Sequence, residues 1–596
     1  MTWLVLALGA PVLAAGAWLV WRRPLYALYA FLVGLAFHNA AFMGLWLAGA
    51  EGWQLTVLQA WKEILLGTAL LSVVVHRQLP RRLWWLDWAV LALALVAVAY
   101  FFVPTEADLQ GRLYGLRGIA LPVAAYAVGR ALVLTAREWR RLAAVALGTA
   151  VAVSVLGIAE HYGLTLDQWR AWGAKGYYSE QLDFPAFHGP AGLPDNWALN
   201  LSDGVFRRLI SSFLSPLGTA YLLGIALLVA VVARPRLRAG LAAAVILAAF
   251  LLAFSRAAAI GFFGALVLLA LVRRSWVPAV AGVAVLATSV GMAAVFPWVA
   301  PETRFFPEDR AYQERRAQEE GPLEEGSPLE TTSGFSDASS RSHLSELRRS
   351  FENLLDEPLG RGLGTTGQIA QRFGEGELAA GESLYLTVGV ETGFVGLAAL
   401  LALAAATLGT LFVVARRFGP ALLGLGAAVL LAAQAAVFAI GLQTEVWGIP
   451  WLVYGLWFLT GSVVAGARQQ PLGAAVVVWR HGAEGREFLL LRRRYAPGPE
   501  WKWTPPSGAR DGEEPVDECA RRELLEETGL ALPLLETSCN RGDWAIFAAE
   551  APGGAEVRLD DEHEAFEWLA LDDALARCRP PIVASGLACV AEWLDR

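Results

Sequence analysis

A chain of 596 residues, 56% hydrophobic and only 17% charged, with a mean hydropathy of +0.46, is too apolar for a water-soluble protein and long enough for more than one domain. Its net charge of -7, with no lysine-arginine tract outside short hinges between apolar runs, argues against nucleic acid as a partner. The composition is that of a membrane protein.

A span needs roughly twenty apolar residues. Thirteen stretches are candidates: about 3–21, 25–48, 54–75, 83–103, 113–134, 142–164, 212–233, 239–254, 257–272, 277–299, 384–415, 420–440 and 447–467. The first starts without a basic flank and ends at Arg22 and Arg23, the reverse of a secretory signal, so it reads as a spanning helix. Alternate hinges hold arginine: Arg22 and Arg23; Arg77, Arg81 and Arg82; Arg137, Arg140 and Arg141; Arg234, Arg236 and Arg238; Arg273 and Arg274; Arg416 and Arg417. Retained positive charge marks the cytoplasmic side. This asymmetry predicts an outside N-terminus, outside loops at 165–211 and 300–383, and an inside segment after Arg468. Cys519, Cys539, Cys578 and Cys589 all fall in that last segment, which suits a reducing compartment.

Ionisable residues in or beside spans are functional candidates, because a charge in lipid costs several kcal/mol unless paired or wetted. Lys62 and Glu63 lie in the third candidate span, Arg117 near the outer end of the fifth, Arg208 before the seventh, and Arg256 at the hinge of the eighth and ninth. Lys62 with Glu63 also reads as a simple ion pair facing the bundle, and Arg256 as a snorkelling side chain. Arginines on the outer side run against the positive-inside rule, and an anionic ligand such as a phosphate-bearing lipid accounts for them.

Within the loop 300–383, residues 301–333 are acidic and rich in Pro, Gly, Ser and Glu, the composition of a lead-in without fixed structure. A surface helix follows, with Ser339 or Ser340 as its cap and Leu344, Leu347, Phe351, Leu354 and Leu355 on one side. Arg341 and Arg348 share another face, where guanidinium forks can grip phosphate. The helix is predicted to stop at Asp356-Glu357-Pro358, before a turn with Gly360, Gly362, Gly364 and Gly367.

The runs RRLISSFLSPLGTAYLL, LLAFSRAAAIGFFGALVLL, RSHLSELRRSFENLLDEPLGRGLGTTG and GESLYLTVGVETGFVGL resemble, in that order, the O-antigen ligase and Wzy-type polymerase family of bacterial envelope enzymes. The resemblance covers roughly residues 50–465. It implies a metal-independent transferase in the inner membrane that moves a glycan from an undecaprenyl diphosphate carrier to a hydroxyl of a glycan or lipid acceptor at the outer face. Arg208, Arg256 and Arg341 match the family's arginines and would hold the donor diphosphate, with Arg348, Arg117 and Lys62 as further binding candidates. Many members carry His where this chain has Glu382. A carboxylate there can act as general base, or can cap the next helix through its dipole; His343 is a second base candidate. Ligase and polymerase share these motifs. A transporter of lipid-linked sugars is the alternative from another class, but it needs charge through the depth of several spans.

From Pro471 the composition becomes that of a soluble domain. GAAVVVW and EFLLLRRR read as strands, and Gly508, Glu514, Arg522, Glu523, Leu524, Glu526, Glu527, Gly529 and Leu530 fit the nine defined positions of the Nudix box. On a helix, Glu523, Glu526 and Glu527 share one face, and such carboxylates suit Mg²⁺. The resemblance implies an α-β-α sandwich hydrolysing a nucleoside diphosphate linked to another moiety, with Glu523, Glu526 and Glu527 as catalytic metal ligands. Glu562 or Glu564 is a further candidate ligand or base. The expected architecture is a polytopic helical bundle (1–468) followed by a cytoplasmic α/β domain (469–596).

Overall fold

The computed structural model describes residues 2–595 apart from 51, 81–82, 183, 185–186, 202–203, 234–235, 321–337, 368, 371–382, 470, 472, 484, 495–501, 512–513, 538 and 540–543. The chain forms two compact units, residues 1–415 with 420–465, and residues 416–419 with 466–596.

In the first unit each of the thirteen apolar stretches is helical. Among the described residues, eight helices are long and apolar enough to cross a membrane by themselves, and Trp53–Gln59 with Trp61–Val75, bent by 45° at a break, reach that length and apolarity only together. Of the other four, Trp85–Phe101, Pro216–Val232 and Leu237–Ala253 are shorter apolar helices, and Leu109–Arg130 carries Arg112, Arg117 and Arg130. Helix starts follow capping chemistry. Asp108 accepts from the Gly111 N–H, Thr135 and Glu138 cap each other's backbone, and Ser255 accepts from the Ala258 N–H at the head of Arg256–Arg273.

A buried ion pair that the span pattern did not single out joins two of these helices. Arg130 Nε lies 3.1 Å from Asp87 Oδ1, which also accepts from the Tyr126 hydroxyl at 2.6 Å, while Asp87 Oδ2 accepts from the Trp84 N–H at 2.7 Å. Removing one partner of a buried pair strands the other charge, so Asp87→Ala should cost about 3–5 kcal/mol. Thermal unfolding of the detergent-purified protein measures it.

The two long loops between apolar stretches hold more structure than their composition suggests. Strands β1 (Ala198–Leu201), β2 (Gly204–Arg207) and β3 (Glu302–Thr303) form an antiparallel sheet in that order. The acidic lead-in is helical over Pro307–Glu320. Its Asp309 is buried, 3.6 Å from Arg170 and 3.3 Å from His188, so part of the negative charge is neutralised in place. The surface helix runs Ala338–Asp356, which puts Ser339 and Ser340 inside it rather than at its cap. Its expected single apolar side divides. Leu354 is buried against Val390, Leu386 and Leu397, whereas Phe351 and Leu355 are exposed.

The second unit is built on β4 (Gly473–Gly482), β5 (Gly485–Arg493), β6 (Trp503–Thr504), β7 (Ser507–Ala509), β8 (Leu535–Glu536), β9 (Trp544–Glu550) and β10 (His563–Ala570). The main sheet has the order β10-β5-β4-β9-β8, with β6 on β5 and β7 on β4. Alternating residues of β4 point to opposite faces. Val476 and Val478 pack with Leu524 of helix Val516–Thr528, and Val477 and Trp479 pack with Leu587 and Val590 of helix Pro581–Leu594. The result is the expected α-β-α layering. Cys539 and Cys589 are joined as a disulfide, whereas Cys519 and Cys578 are free and buried. The cysteines are therefore not all reduced thiols, as the reading from their position expects; the core packing brings two of them together from far apart in the chain.

Candidate active sites

In the second unit the acidic helix Val516–Thr528 ends at Gly529, whose φ of 67° supplies the left-handed cap that side chains resist. Arg522 is the hub of its outer face. It donates to Glu514 at 2.9 and 3.0 Å, to Glu523 at 2.7 Å, to Glu526 at 2.9 Å and to the Ala509 carbonyl at 3.0 Å. Its hydrogen bond holds Glu514 below the usual carboxylate range. The Glu523 carboxylate lies on Gly508, where a Cβ would stand 2.0 Å from Glu523 Cδ, so any side chain there would push the carboxylate from this seat. Burial raises the Glu523 carboxyl despite Arg522.

Glu527 faces inward and is buried. One oxygen accepts from the Ser507 N–H at 2.8 Å; the other lies 3.9 Å from both Arg493 and His563. Burial pushes its carboxyl up to about 8, with Glu523 and Asp560 adding in the same direction. Of the two candidates left open on β10 and its approach, Glu564 is paired with Arg492 at 2.9 Å, while Glu562 is exposed. Sequence reasoning missed His563 and Asp560, which reach the helix from the far end of the sheet.

Among the described residues no three carboxylate, imidazole or thiol groups form a ready-made metal cage, since Arg522 draws Glu523 and Glu526 to itself. The donor chemistry nevertheless fits a hard divalent cation. The acidic face offers the carboxylate oxygens of Glu523, Glu526 and Glu527, and buried Glu527 is an acid whose ionisation the surroundings oppose until positive charge arrives.

In the first unit, Arg208 is buried and spends its guanidinium on backbone carbonyls of Ala253 (3.0 Å), Phe254 (2.9 Å) and Asn196 (3.0 Å). Burial lowers its pKa to about 10, with Arg256 acting in the same sense, and its carbonyl partners lie two and three residues ahead of Arg256. Arg207, not singled out from sequence, donates to carbonyls of Glu160 and His161 at 3.2 Å and pairs with the Glu160 carboxylate. Lys62 and Arg117 form a separate group around Glu63, with Lys62 Nζ 3.6 Å and Arg117 Nε 3.1 Å from its oxygens. Arg348 is exposed and pairs with Glu352 at 2.9 Å. Arg341 lies in helix Ala338–Asp356, its side chain outside the described residues, as is Glu382.

Sequence reasoning also passed over Glu391. It is buried and accepts from the Gly364 N–H at 2.9 Å and the Thr366 hydroxyl at 3.2 Å. Its own carbonyl takes the Gly362 N–H at 2.9 Å. The available signal was an ionisable side chain inside an apolar run.

Residues 471–594 match the NUDIX domain family, and residues 241–401 match the O-antigen ligase family. An octanoyltransferase of Myxococcus xanthus is 38% identical over 114 residues, 17% of this chain and 31% of that protein. A bis(5'-nucleosyl)-tetraphosphatase (asymmetrical) of Rattus norvegicus is 37% identical over 101 residues, 15% of this chain and 67% of that enzyme. The chain thus spans less than a third of the first of these relatives and about two thirds of the second. Among solved structures, a C. elegans Ap4A hydrolase binary complex aligns at 27% identity over 21% of this chain and 96% of its own, with a TM-score of 0.18.

Proposed function

The chain belongs to the NUDIX family and carries an O-antigen ligase domain in its membrane part, and from that premise we propose two activities in one polypeptide. The C-terminal unit hydrolyses a nucleoside diphosphate linked to a second moiety, with dinucleoside polyphosphates as the leading substrate class. The observation that carries this reading is the seating of Glu523 on Gly508, clamped there by Arg522, beside buried Glu527. Glu523, Glu526 and Glu527 would hold Mg²⁺, which when bound neutralises substrate charge and lowers the pKa of a water. Arg522 keeps Glu523 and Glu526 oriented on the helix face, and the Ser507 N–H fixes one oxygen of Glu527.

The membrane unit transfers a glycan from an undecaprenyl diphosphate carrier to an acceptor hydroxyl, without metal, at the outer face of the inner membrane. The seating of the Arg208 guanidinium on the carbonyls of Ala253 and Phe254, just ahead of Arg256, supports this, since cations gathered there offset the charge of a leaving diphosphate. Arg208 acts mainly by fixing the chain ahead of Arg256, because its donors already serve backbone carbonyls. Arg341 and Arg348 reach the donor from the surface helix, Arg117 and Lys62 form a second polar group, and Glu382 takes the acceptor proton. The arginine-bearing hinges support long loops outside and a cytoplasmic C-terminal unit, although the Cys539–Cys589 disulfide withdraws the support that the cysteines lent to it.

Purified full-length protein supplied with lipid-linked oligosaccharide and candidate acceptors should release carrier without added metal. Arg256→Ala and Glu382→Gln should each lower that transfer by roughly 100-fold or more. Unchanged transfer by both variants in a complemented deletion strain refutes the assignment.

A further inference from the structure

Residues 416–419 close the apolar helix Leu384–Phe418 and belong to the same compact unit as the C-terminal sheet. Within that unit the Arg510 guanidinium stands 5.7 Å from the centre of the Phe418 ring, and the Arg417 guanidinium stands 5.4 Å from the same ring. Carbonyls fix Arg510 in place. Its Nε donates to the Glu514 carbonyl at 2.7 Å and its Nη1 to the Pro471 carbonyl at 3.3 Å. Pro471 follows the end of helix Pro450–Gln469 by two residues. Phe418 and Pro471 therefore both mark ends of helices long and apolar enough to cross a membrane. A guanidinium that touches both lies where a bilayer's headgroups begin.

The protein leaves this positive charge uncompensated. Carbonyls are neutral acceptors, the Glu514 carboxylate pairs with Arg522, and among the described residues no carboxylate pairs with Arg417 or Arg510. Phe418 is buried whereas both arginines are half-buried, so the ring seats them and their outer nitrogens still reach solvent. Burial and the charge of Arg417 both lower the Arg510 pKa, a cost that a bound anion removes. Planar guanidinium forks match phosphate oxygens in two-point fashion.

We propose that Arg510 and Arg417, seated on Phe418, bind the phosphate of an anionic membrane lipid, so that the C-terminal domain grips the bilayer surface directly. A headgroup is favoured over a soluble phosphate because an anionic leaflet presents its charge at this level and draws basic side chains to it. The inference does not depend on what the domain hydrolyses.

The test uses full-length protein in phosphatidylcholine nanodiscs that hold a trace of phosphatidylglycerol with a photoreactive diazirine on its headgroup, followed by mass spectrometry of the labelled peptides. Label should reach the segments around Arg417 and Arg510, and should fall as salt screens the charges. A basic residue beside an anionic leaflet is worth about fivefold in binding. Arg510→Gln and Arg417→Gln should each cut the labelling by about that factor, while Arg510→Lys, which keeps the charge, should retain most of it. Unlabelled phosphatidylglycerol should compete, and inorganic phosphate in large excess should not. Labelling within about twofold of wild type in both glutamine variants, or equal labelling by a phosphatidylcholine that carries the same diazirine, overturns the proposal. Competition by inorganic phosphate as strong as by the lipid would reveal a site for a soluble anion and overturn it as well. An equal loss in Arg510→Lys and Arg510→Gln, with Arg417→Gln unaffected, would make Arg510 a brace for its own loop instead. Should Arg510→Gln fail to fold, Arg417→Gln, which leaves the carbonyl bonds of Arg510 in place, decides alone.

Discussion

Glu523→Gln should lower cleavage of a dinucleoside polyphosphate by the full-length protein at least about 100-fold, with no loss of fold. Carboxylates that take part in proton transfer or hold the metal contribute factors of this size, and the amide is close in shape, so it still fits the seat that Gly508 leaves open. Arg522 retains Glu514 and Glu526 as partners in the variant, which keeps the helix face intact. The pH dependence adds a second check. Burial raises the Glu527 carboxyl to about 8 in the folded domain, above the ordinary glutamate value near 4.3. The folded state then binds more protons than the unfolded one across that interval, so metal-free stability falls as pH rises from about 4.5 through 8. A divalent cation selects the ionised carboxylate, so its affinity rises over the same range. Thermal melts with chelator and with Mg²⁺ should therefore diverge as pH increases, and Glu527→Gln should remove most of the divergence. Parallel melting curves in wild type would show that Glu527 is not a ligand.

The acidic helix was legible in advance because its carboxylates lie within one turn of each other and its glycine lies one turn-and-loop upstream; spacing alone puts them on one face. His563 and Asp560 were not, because they join that face only when β10 pairs with β5. The Cys539–Cys589 pairing was hidden for the same reason, and position in the chain pointed instead to free thiols. Hydropathy located the helices of the membrane unit but not the break between Gln59 and Trp61, which leaves no mark in composition. Charge content misled at Pro307–Glu320, since it cannot register that Asp309 is buried beside Arg170. Arg208 looked like a free cation from its place in the chain. The structure directs it to the carbonyls of Ala253 and Phe254, the end of helix Arg236–Ala253, where unpaired acceptors need a donor.

Glu391→Ala should destabilise the membrane unit by roughly 2–5 kcal/mol and abolish glycan transfer, although the residue touches no substrate in the proposed mechanism. Its carboxylate is the acceptor for the Gly364 N–H and the Thr366 hydroxyl, and each buried donor left unmade costs about 1–3 kcal/mol. Those donors belong to the turn that follows helix Ala338–Asp356. The turn runs against the break at Gly393 in helix Leu384–Phe418, where Phe394 N–H reaches the Pro358 carbonyl at 3.0 Å and Arg361 N–H the Val390 carbonyl at 2.8 Å. Gly364, with φ at 83°, also approaches Gly111 so closely that a Cβ would lie 2.4 Å from its backbone. The turn therefore has one way to sit, and Glu391 holds it there, which in turn sets where the arginines of the surface helix stand. Glu391→Gln keeps an acceptor oxygen for both donors and should retain most of the stability and transfer. Melting in detergent and carrier release, measured on both variants, separate the possibilities. If the glutamine variant loses transfer while melting as wild type, the charge of Glu391 serves the chemistry directly, and its role as a positioning residue is refuted.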